Sequence, residues 1–169
     1  MEGKAVPNRQ TEPALSAEAR FALEVGRQAE HGLAAGLYCA ESVVQALAQA
    51  QGIDSDMLPM MATAFCGGMA RTCGTCGALT GAVMGVSLAL GRSGPGESAE
   101  AAYAATQLLV RSFEQEFGAR NCDQLLGCDL GSAEGQAIFH DEQLHQRCAR
   151  YTRRAAELAA ALICPSRKR

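Results

Sequence analysis

The fold of this chain is decided by the stretch Gly77-Ala-Leu-Thr-Gly-Ala-Val-Met-Gly-Val-Ser-Leu-Ala-Leu-Gly91, which is apolar on nearly every side. A helix without a polar face belongs at the centre of a bundle. Gly77, Gly81 and Gly85 recur every four residues, so one face of this helix carries no side chains and another helix can approach it closely. The partner on that face is either another helix of the same chain or a second copy in a homodimer. The run has about 15 residues and a membrane span needs about 20, so we expect no transmembrane helix.

The sequence on both sides of this stretch predicts further helices. Ser16 is an expected N-cap, and apolar residues at helical spacing indicate a second helix. A long helix is expected to open with Glu97 and Glu100, end at Phe117 and point Tyr103 inward. The remaining expectations are helices over about 17–32, 39–51, 57–65, 122–126 and 141–163, with a loop over 127–137. No segment alternates as a strand would, so we predict an all-α fold, a compact multi-helix bundle with a central apolar, Gly-rich helix.

The composition is that of one helical domain. Aromatic residues make up only 5% and Trp is absent, so the core must be aliphatic and rich in Ala, which favours helices over strands. We divide the chain into a loosely held arm over 1–15, a single helical domain over 16–164 and a basic tail over 165–169. A net charge of −3 provides no basic surface for nucleic acid, so no nucleic-acid partner is expected.

The unusual feature is the presence of eight cysteines. Residues 1–18 contain no apolar signal segment, which predicts a cytoplasmic protein. In a reducing compartment many cysteines more often indicate metal, cluster or redox chemistry than structural disulfides. The opposing interpretation is that the cysteines are small apolar core residues. The chain would then be a helical binding module.

Three of the cysteines, Cys39, Cys76 and Cys122, are each predicted at the start of a helix. Free backbone N–H groups and the helix dipole favour a thiolate there, so we expect lowered thiol pKa values. The same donors can stabilise the sulfur of an iron–sulfur centre. Cys148 lies on the inner stripe of the last helix and is predicted to point toward whatever the other three surround.

Cys73 and Cys76 form a compact pair in the sequence Cys-Gly-Thr-Cys. A CxxC pair at a helix start can be a dithiol redox site, so the two are candidate catalytic residues of a thiol–disulfide oxidoreductase, with Cys66 or Cys128 as the resolving thiol. Attachment of a covalent haem requires CxxCH, and residue 77 is Gly, so no haem is expected.

Four blocks of the sequence resemble the C-GCAxxG-C-C family of redox-active proteins. They are Cys39-Ala-Glu-Ser-Val, the Gly-rich run from Gly67 to Gly81, Asn121-Cys122-Asp-Gln-Leu-Leu-Gly and Cys148 in the last helix. The resemblance covers about residues 39–162. It implies a small helical cytoplasmic protein with four signature cysteines, here Cys39, Cys76, Cys122 and Cys148.

That family is also similar to the iron–sulfur part of split-Soret cytochromes. The resemblance thus implies that the four signature cysteines are metal ligands that bind an iron–sulfur cluster of the [2Fe–2S] type. It further implies electron transfer with a redox partner protein. The family pattern reads Gly-Cys-Ala, whereas residues 76–78 read Cys-Gly-Ala. Cys66, Cys73 and Cys128 are additional, so Cys73 or Cys128 as a replacement ligand, or a switchable disulfide, stays open.

Overall fold

The computed structural model describes residues 15–164; residues 1–14 of the predicted arm over 1–15 and the predicted tail over 165–169 lie outside the described residues. This part of the chain is helical and contains no strand, which confirms the prediction of an all-α fold. The helices are α1 (Ala17–Ala34), α2 (Cys39–Ala50), α3 (Met57–Ala62) with a 3₁₀ turn (Thr63–Phe65), the one-turn α4 (Cys66–Met69), α5 (Gly77–Leu90), α6 (Glu100–Phe117), α7 (Cys122–Leu126), α8 (Ala133–Asp141) and α9 (His145–Ile163).

The apolar helix α5 lies at the centre of the bundle and packs against α2, α6 and α9. Its glycine face is covered by α2 of the same chain. A Cβ on Gly81 would lie 2.5 Å from the carbonyl oxygen of Ala40, and one on Gly85 would overlap the side chain of Leu47. Because an internal helix fills this face, it provides no reason to expect a homodimer. Among residues 15–164, no helix has both the length and the apolar character needed to cross a bilayer.

The helices α1 and α9 lie along each other and are joined by a buried carboxylate. Glu157 on α9 packs over Gly26 on α1, where a Cβ would overlap the Glu157 side chain. Its carboxylate accepts hydrogen bonds from Arg153, at 2.9 Å, and from Arg154. Arg154 also pairs with Glu116 on α6 at 2.8 Å. The two arginines therefore neutralise a charge that would otherwise be costly to bury.

Two predicted boundaries near the C-terminal half are wrong. Residues 127–137 are not all loop, because α8 begins at Ala133 and is capped by Ser132, whose hydroxyl accepts from the Gly135 N–H at 2.9 Å. The last helix does not begin at residue 141. Gln143 has a φ of 53° and separates α8 from α9, which starts at His145.

The inward direction predicted for Tyr103 on α6 is also wrong, since this side chain is 61% exposed. The helix instead packs into the core through Leu109 and Phe113, which are fully buried. These two residues are four apart and share one face of the helix, whereas Tyr103 lies beside the polar face.

Candidate functional site

The loop before α5 is joined to the start of α7 through backbone hydrogen bonds. The N–H of Cys76 donates to the carbonyl of Arg120 at 2.8 Å, and the N–H of Cys122 donates to the carbonyl of Gly74 at 2.9 Å. Between them lies an isolated antiparallel β-bridge. Two helix starts that are distant in the sequence are therefore held side by side, each with a cysteine.

The loop over residues 66–76, which we name the cysteine loop, has an unusual backbone. Gly68 has a φ of 72°, and a Cβ at this position would overlap the Cβ of Cys122. The absence of a side chain at Gly68 lets the loop approach α7 closely. Left-handed backbone also occurs at four residues that are not glycine, namely Met69, Ala70, Arg71 and Cys73. Such conformations are unfavourable for L-residues and concentrate at functional sites.

The start of α9 is fastened to α7, which determines the position of Cys148. The Tyr151 hydroxyl donates to the carbonyl of Leu125 at 3.0 Å, and the Arg147 guanidinium donates to the carbonyl of Leu126 at 3.3 Å. Both donors flank Cys148 on the first turns of α9. Cys148 is thereby brought close to Cys122, and the charge of Cys122 contributes to the rise in the pKa of Cys148.

Cys39, the first residue of α2, lies against the start of α5. A Cβ on Gly77 would overlap the Cys39 sulfur, so the glycine leaves room for that sulfur directly beside Cys76. Cys66 lies beside Cys39, because the same Cβ on Gly77 would lie 3.1 Å from the Cys66 Cα. The neighbouring Cys39 sulfur, together with burial, raises the pKa of the Cys66 thiol. The Cys66 sulfur also accepts from the backbone N–H groups of Ala40 and Glu41 at the start of α2.

The structure therefore gathers the four predicted ligands around the start of α5, in two subsets. Cys76 acts electrostatically on Cys122, and both act on Cys148. Cys128, which is outside the signature, acts on Cys122 and Cys148 as well. Cys39 joins them through its contact with Gly77 and is paired with Cys66, whose charge acts on Cys76. All eight cysteines lie in the described range and none is in a disulfide.

The predicted lowering of the thiol pKa at helix starts is wrong for Cys76 and Cys122. Burial raises the pKa of Cys76, although the N–H groups of Ala78 and Leu79 donate to its sulfur and oppose the rise. Burial raises the pKa of Cys122 to about 12, and neighbouring cysteines contribute to that rise. Burial likewise raises the pKa of Cys148 to about 12. At Cys76 the loss of solvation of the thiolate therefore outweighs the helix donors.

The two thiols of the CxxC pair have different surroundings. Cys73 is partly exposed, and its thiol donates to the Asp129 carboxylate, with 3.2 Å between Sγ and Oδ1. That hydrogen bond raises the pKa of Cys73. Cys76 is buried and its sulfur accepts from backbone amides of α5. A dithiol site at Cys73 and Cys76 stays a prediction, and it would require one of the two side chains to leave its present partner.

Glu41 ties the start of α2 to the segment that leads into the cysteine loop. Its buried carboxylate accepts from the Tyr38 N–H at 2.8 Å and from the Thr63 hydroxyl at 2.7 Å. The sequence suggested only that an acid suits the first turn of a helix. In the structure this acid holds Cys39 and Cys66 at a common point.

A family model described as "Putative redox-active protein (C_GCAxxG_C_C)" matches residues 37–162. The chain belongs to this family. The resemblance predicted from the cysteine blocks is thereby confirmed, together with the general redox character of the protein. No curated protein and no solved structure gives a significant match.

In this C_GCAxxG_C_C protein, the proximity of Cys66 to Cys39 was not predicted from the sequence. Cys66 was expected only as a resolving thiol for the CxxC pair. A useful signal was its place directly before Gly67 and Gly68, because two glycines after a helix end allow the chain to turn back sharply. In the described part of the chain, no three His, Cys, Asp or Glu side chains are grouped so that they could hold a metal ion.

The donor chemistry of the site nevertheless fits an iron–sulfur cluster. Thiolates are the ligands that such clusters use, and the four signature cysteines come from four separate segments that meet at the start of α5. Backbone N–H groups already face the sulfurs of Cys66 and Cys76. Such donors stabilise thiolates and inorganic sulfide.

Proposed function

We propose that this protein is an electron-transfer protein that binds an iron–sulfur cluster of the [2Fe–2S] type through Cys39, Cys76, Cys122 and Cys148. The observation that carries the proposal is the convergence of these residues from α2, α5, α7 and α9. Cys76 acts electrostatically on Cys122, both act on Cys148, and the Cys39 sulfur lies against Gly77. A cluster bound there would supply reversible one-electron transfer.

The chain around these cysteines would control the properties of the site. The N–H groups of Ala78 and Leu79 donate to the Cys76 sulfur and would stabilise negative charge at that ligand. Burial of Cys76 and Cys122 would limit access of water. The raised pKa values of Cys122 and Cys148 mean that both protons must leave when these thiols bind iron, so cluster assembly would release protons.

The proposal requires a redox partner protein, because electron transfer needs a donor and an acceptor. It also places the protein in the cytoplasm, because thiols that must stay available for iron are best preserved in a reducing compartment. The oligomeric state is not part of the proposal.

The first experiment is purification of the full chain without oxygen, followed by iron and acid-labile sulfide analysis. We expect iron and sulfide in equal amounts, visible absorption, and an electron paramagnetic resonance signal after reduction. Reconstitution with iron and sulfide under the same conditions distinguishes a lost cluster from one that never binds. A chain that takes up neither iron nor sulfide contradicts the proposal. The remaining hypotheses would then be a thiol–disulfide oxidoreductase and a helical binding module.

The second experiment compares cysteine variants in the same assay. Cys76→Ser, Cys122→Ser and Cys148→Ser should each abolish or shift the spectrum. The matched control is Cys164→Ser, because Cys164 follows the last residue of α9, at the opposite end of that helix from Cys148. Cys73→Ser and Cys128→Ser test the two alternative ligands. If Cys164→Ser changes the spectrum as much as Cys76→Ser does, the assigned ligand set is wrong.

A further inference from the structure

Cys39, one of the signature cysteines, lies beside Cys66, which is not part of the family signature. The Cys66 thiol donates to the Ala62 carbonyl at 3.6 Å. Cys39 and Cys66 lie against the same point of the backbone, because a Cβ on Gly77 would overlap the Cys39 sulfur and lie 3.1 Å from the Cys66 Cα. The Cys39 sulfur is therefore near enough to the Cys66 side chain for a disulfide to form when that side chain rotates away from the Ala62 carbonyl.

We propose that Cys39 and Cys66 form a reversible disulfide, a second redox site that uses low-molecular-weight disulfides such as glutathione disulfide as its oxidant. This inference does not depend on the proposed cluster, although both would use the Cys39 sulfur. While the disulfide exists, Cys39 cannot bind iron. Oxidation of the pair would therefore prevent cluster assembly, and reduction of the pair would allow it.

The geometry assigns different roles to the two sulfurs in this reaction. Cys39 is partly exposed, whereas Cys66 is buried, so Cys39 is the sulfur that an external disulfide can reach. The Cys39 thiolate attacks one sulfur of glutathione disulfide, which forms a mixed disulfide and releases one glutathione thiolate. The Cys66 thiolate then attacks the Cys39 sulfur and releases the second glutathione. The two protein thiols lose two electrons and two protons, and one glutathione disulfide becomes two glutathione thiols.

The start of α2 holds Cys66 in place for the second step but does not ionise it. The neighbouring Cys39 sulfur and burial raise the pKa of the Cys66 thiol, and the N–H groups of Ala40 and Glu41 oppose only part of that rise, so the Cys66 proton must leave as its sulfur attacks. Glu41 fixes this arrangement, because its carboxylate holds the Thr63 hydroxyl, three residues before Cys66. The attacking sulfur is thus presented to Cys39 by contacts that do not depend on bound iron.

The test uses the reduced full chain, incubated without oxygen in glutathione buffers of increasing oxidising strength and then alkylated. Trypsin has no site between Arg27 and Arg71, so both cysteines remain in one peptide. A second cleavage at Asp54 and Asp56 separates them. We expect the two fragments to stay joined until reductant is added, with the joined product as the main oxidised species.

Two variants make the result decisive. Cys66→Ser should abolish the joined product and leave Cys39 as a mixed disulfide with glutathione, while Cys164→Ser should form the joined product as the reference chain does. The inference is overturned if Cys39 joins Cys76, Cys122 or Cys148 instead, or if Cys66 stays open to alkylation when Cys39 is oxidised.

Iron analysis of the same chains separates this inference from the proposed function. If the disulfide forms in a chain that never takes up iron, the cluster proposal fails and the disulfide stands. If iron binds equally well before and after oxidation of the pair, the disulfide does not compete with the cluster and Cys39 is not a ligand. Reduced Cys66→Ser should bind iron as the reference chain does. After glutathione disulfide treatment it should lose that capacity, because its Cys39 is then a mixed disulfide with glutathione.

Discussion

The helical framework formed by α1, α2, α5 and α9 differs from the cysteine loop in how its backbone conformation is maintained. In the framework, regular helices pack through Gly81 and Gly26, whose missing side chains leave room for a neighbour. In the cysteine loop, non-glycine residues such as Ala70 adopt left-handed conformations that are locally unfavourable. The conformation of the loop is therefore maintained by its contacts with α7 rather than by the intrinsic backbone preferences of its residues. This difference indicates that stability is concentrated in the framework and that the loop is maintained for the site.

The largest effect is expected in the framework, from Gly81→Val. The new side chain would meet the backbone of Ala40, which cannot move away without separating α2 from α5. We expect a loss of about 3 kcal/mol in the free energy of unfolding, at the upper end of overpacking effects. Urea unfolding followed by circular dichroism measures it. Gly94→Ala is the control, since no atom lies within 4 Å of a Cβ there. Equal losses in both variants would contradict the close α2–α5 contact.

The next effect concerns the buried carboxylate between α1 and α9. Glu157→Gln removes the charge that Arg153 and Arg154 share, and we expect a loss of about 2 kcal/mol, typical of hydrogen bonds to charged groups. Glu24→Gln alters a pair with Arg27 on the exposed surface, where no measurable change is expected. The same unfolding assay compares the two variants. A Glu157→Gln chain as stable as the Glu24→Gln chain would show that this contact is not important for the framework.

The sharpest comparison applies one chemical change to the cysteine loop and to a regular helix outside it. Ala70 is exposed and has a φ of 54°, so Ala70→Gly removes strain and should raise the free energy of unfolding by about 1 kcal/mol. Ala104 is exposed within α6, so Ala104→Gly should lower it by about 1 kcal/mol. Opposite signs in denaturant unfolding are the expected result. A loss in both chains would mean that the cysteine loop is not strained at residue 70.

The smallest effect is a dependence on pH at the edge of the framework. The hydrogen bond from Arg154 holds the pKa of Glu116 below its usual value. The stabilisation is therefore fully present above the usual carboxyl pKa and is lost as the pH falls through the lowered value. Relative to Glu116→Gln, the unchanged chain should be more stable at neutral pH by at most about 1 kcal/mol. This difference should shrink as the pH falls below the usual carboxyl pKa and should be gone below the lowered pKa of Glu116. A difference that is constant across this range would contradict the assignment.

Most of the helical framework could be predicted from the sequence, because its signals are local. The central position of α5 follows from its lack of a polar face, and the N-cap at Ser16 follows from its side chain, which accepts from the Ala19 N–H at 3.1 Å. The helix α8 was not predicted, because the break that separates it from α9 lies at Gln143. A left-handed glutamine has no sequence signature of the kind that glycine provides.

The candidate site was predicted less completely. The sequence and its family resemblance indicated Cys39, Cys76, Cys122 and Cys148, and the structure brings these residues to one end of α5. The direction of their pKa shifts could not be predicted. Helix N–H donors lower a thiol pKa and burial raises it, and which effect is larger depends on the residues that cover each sulfur. The pairing of Cys66 with Cys39 was equally inaccessible, since it depends on how the cysteine loop folds back over α2.

The sequence by itself determined an all-α chain, a central glycine-faced helix and membership of a redox-active cysteine family. These properties depend on spacing and residue type, which are local. Only the tertiary structure decided that α2 covers the glycine face, that Cys73 turns to Asp129 and that Cys39 pairs with Cys66. Each of these contacts joins segments that are far apart in the chain. The energy of such a contact depends on the surrounding packing, so local patterns do not reveal it.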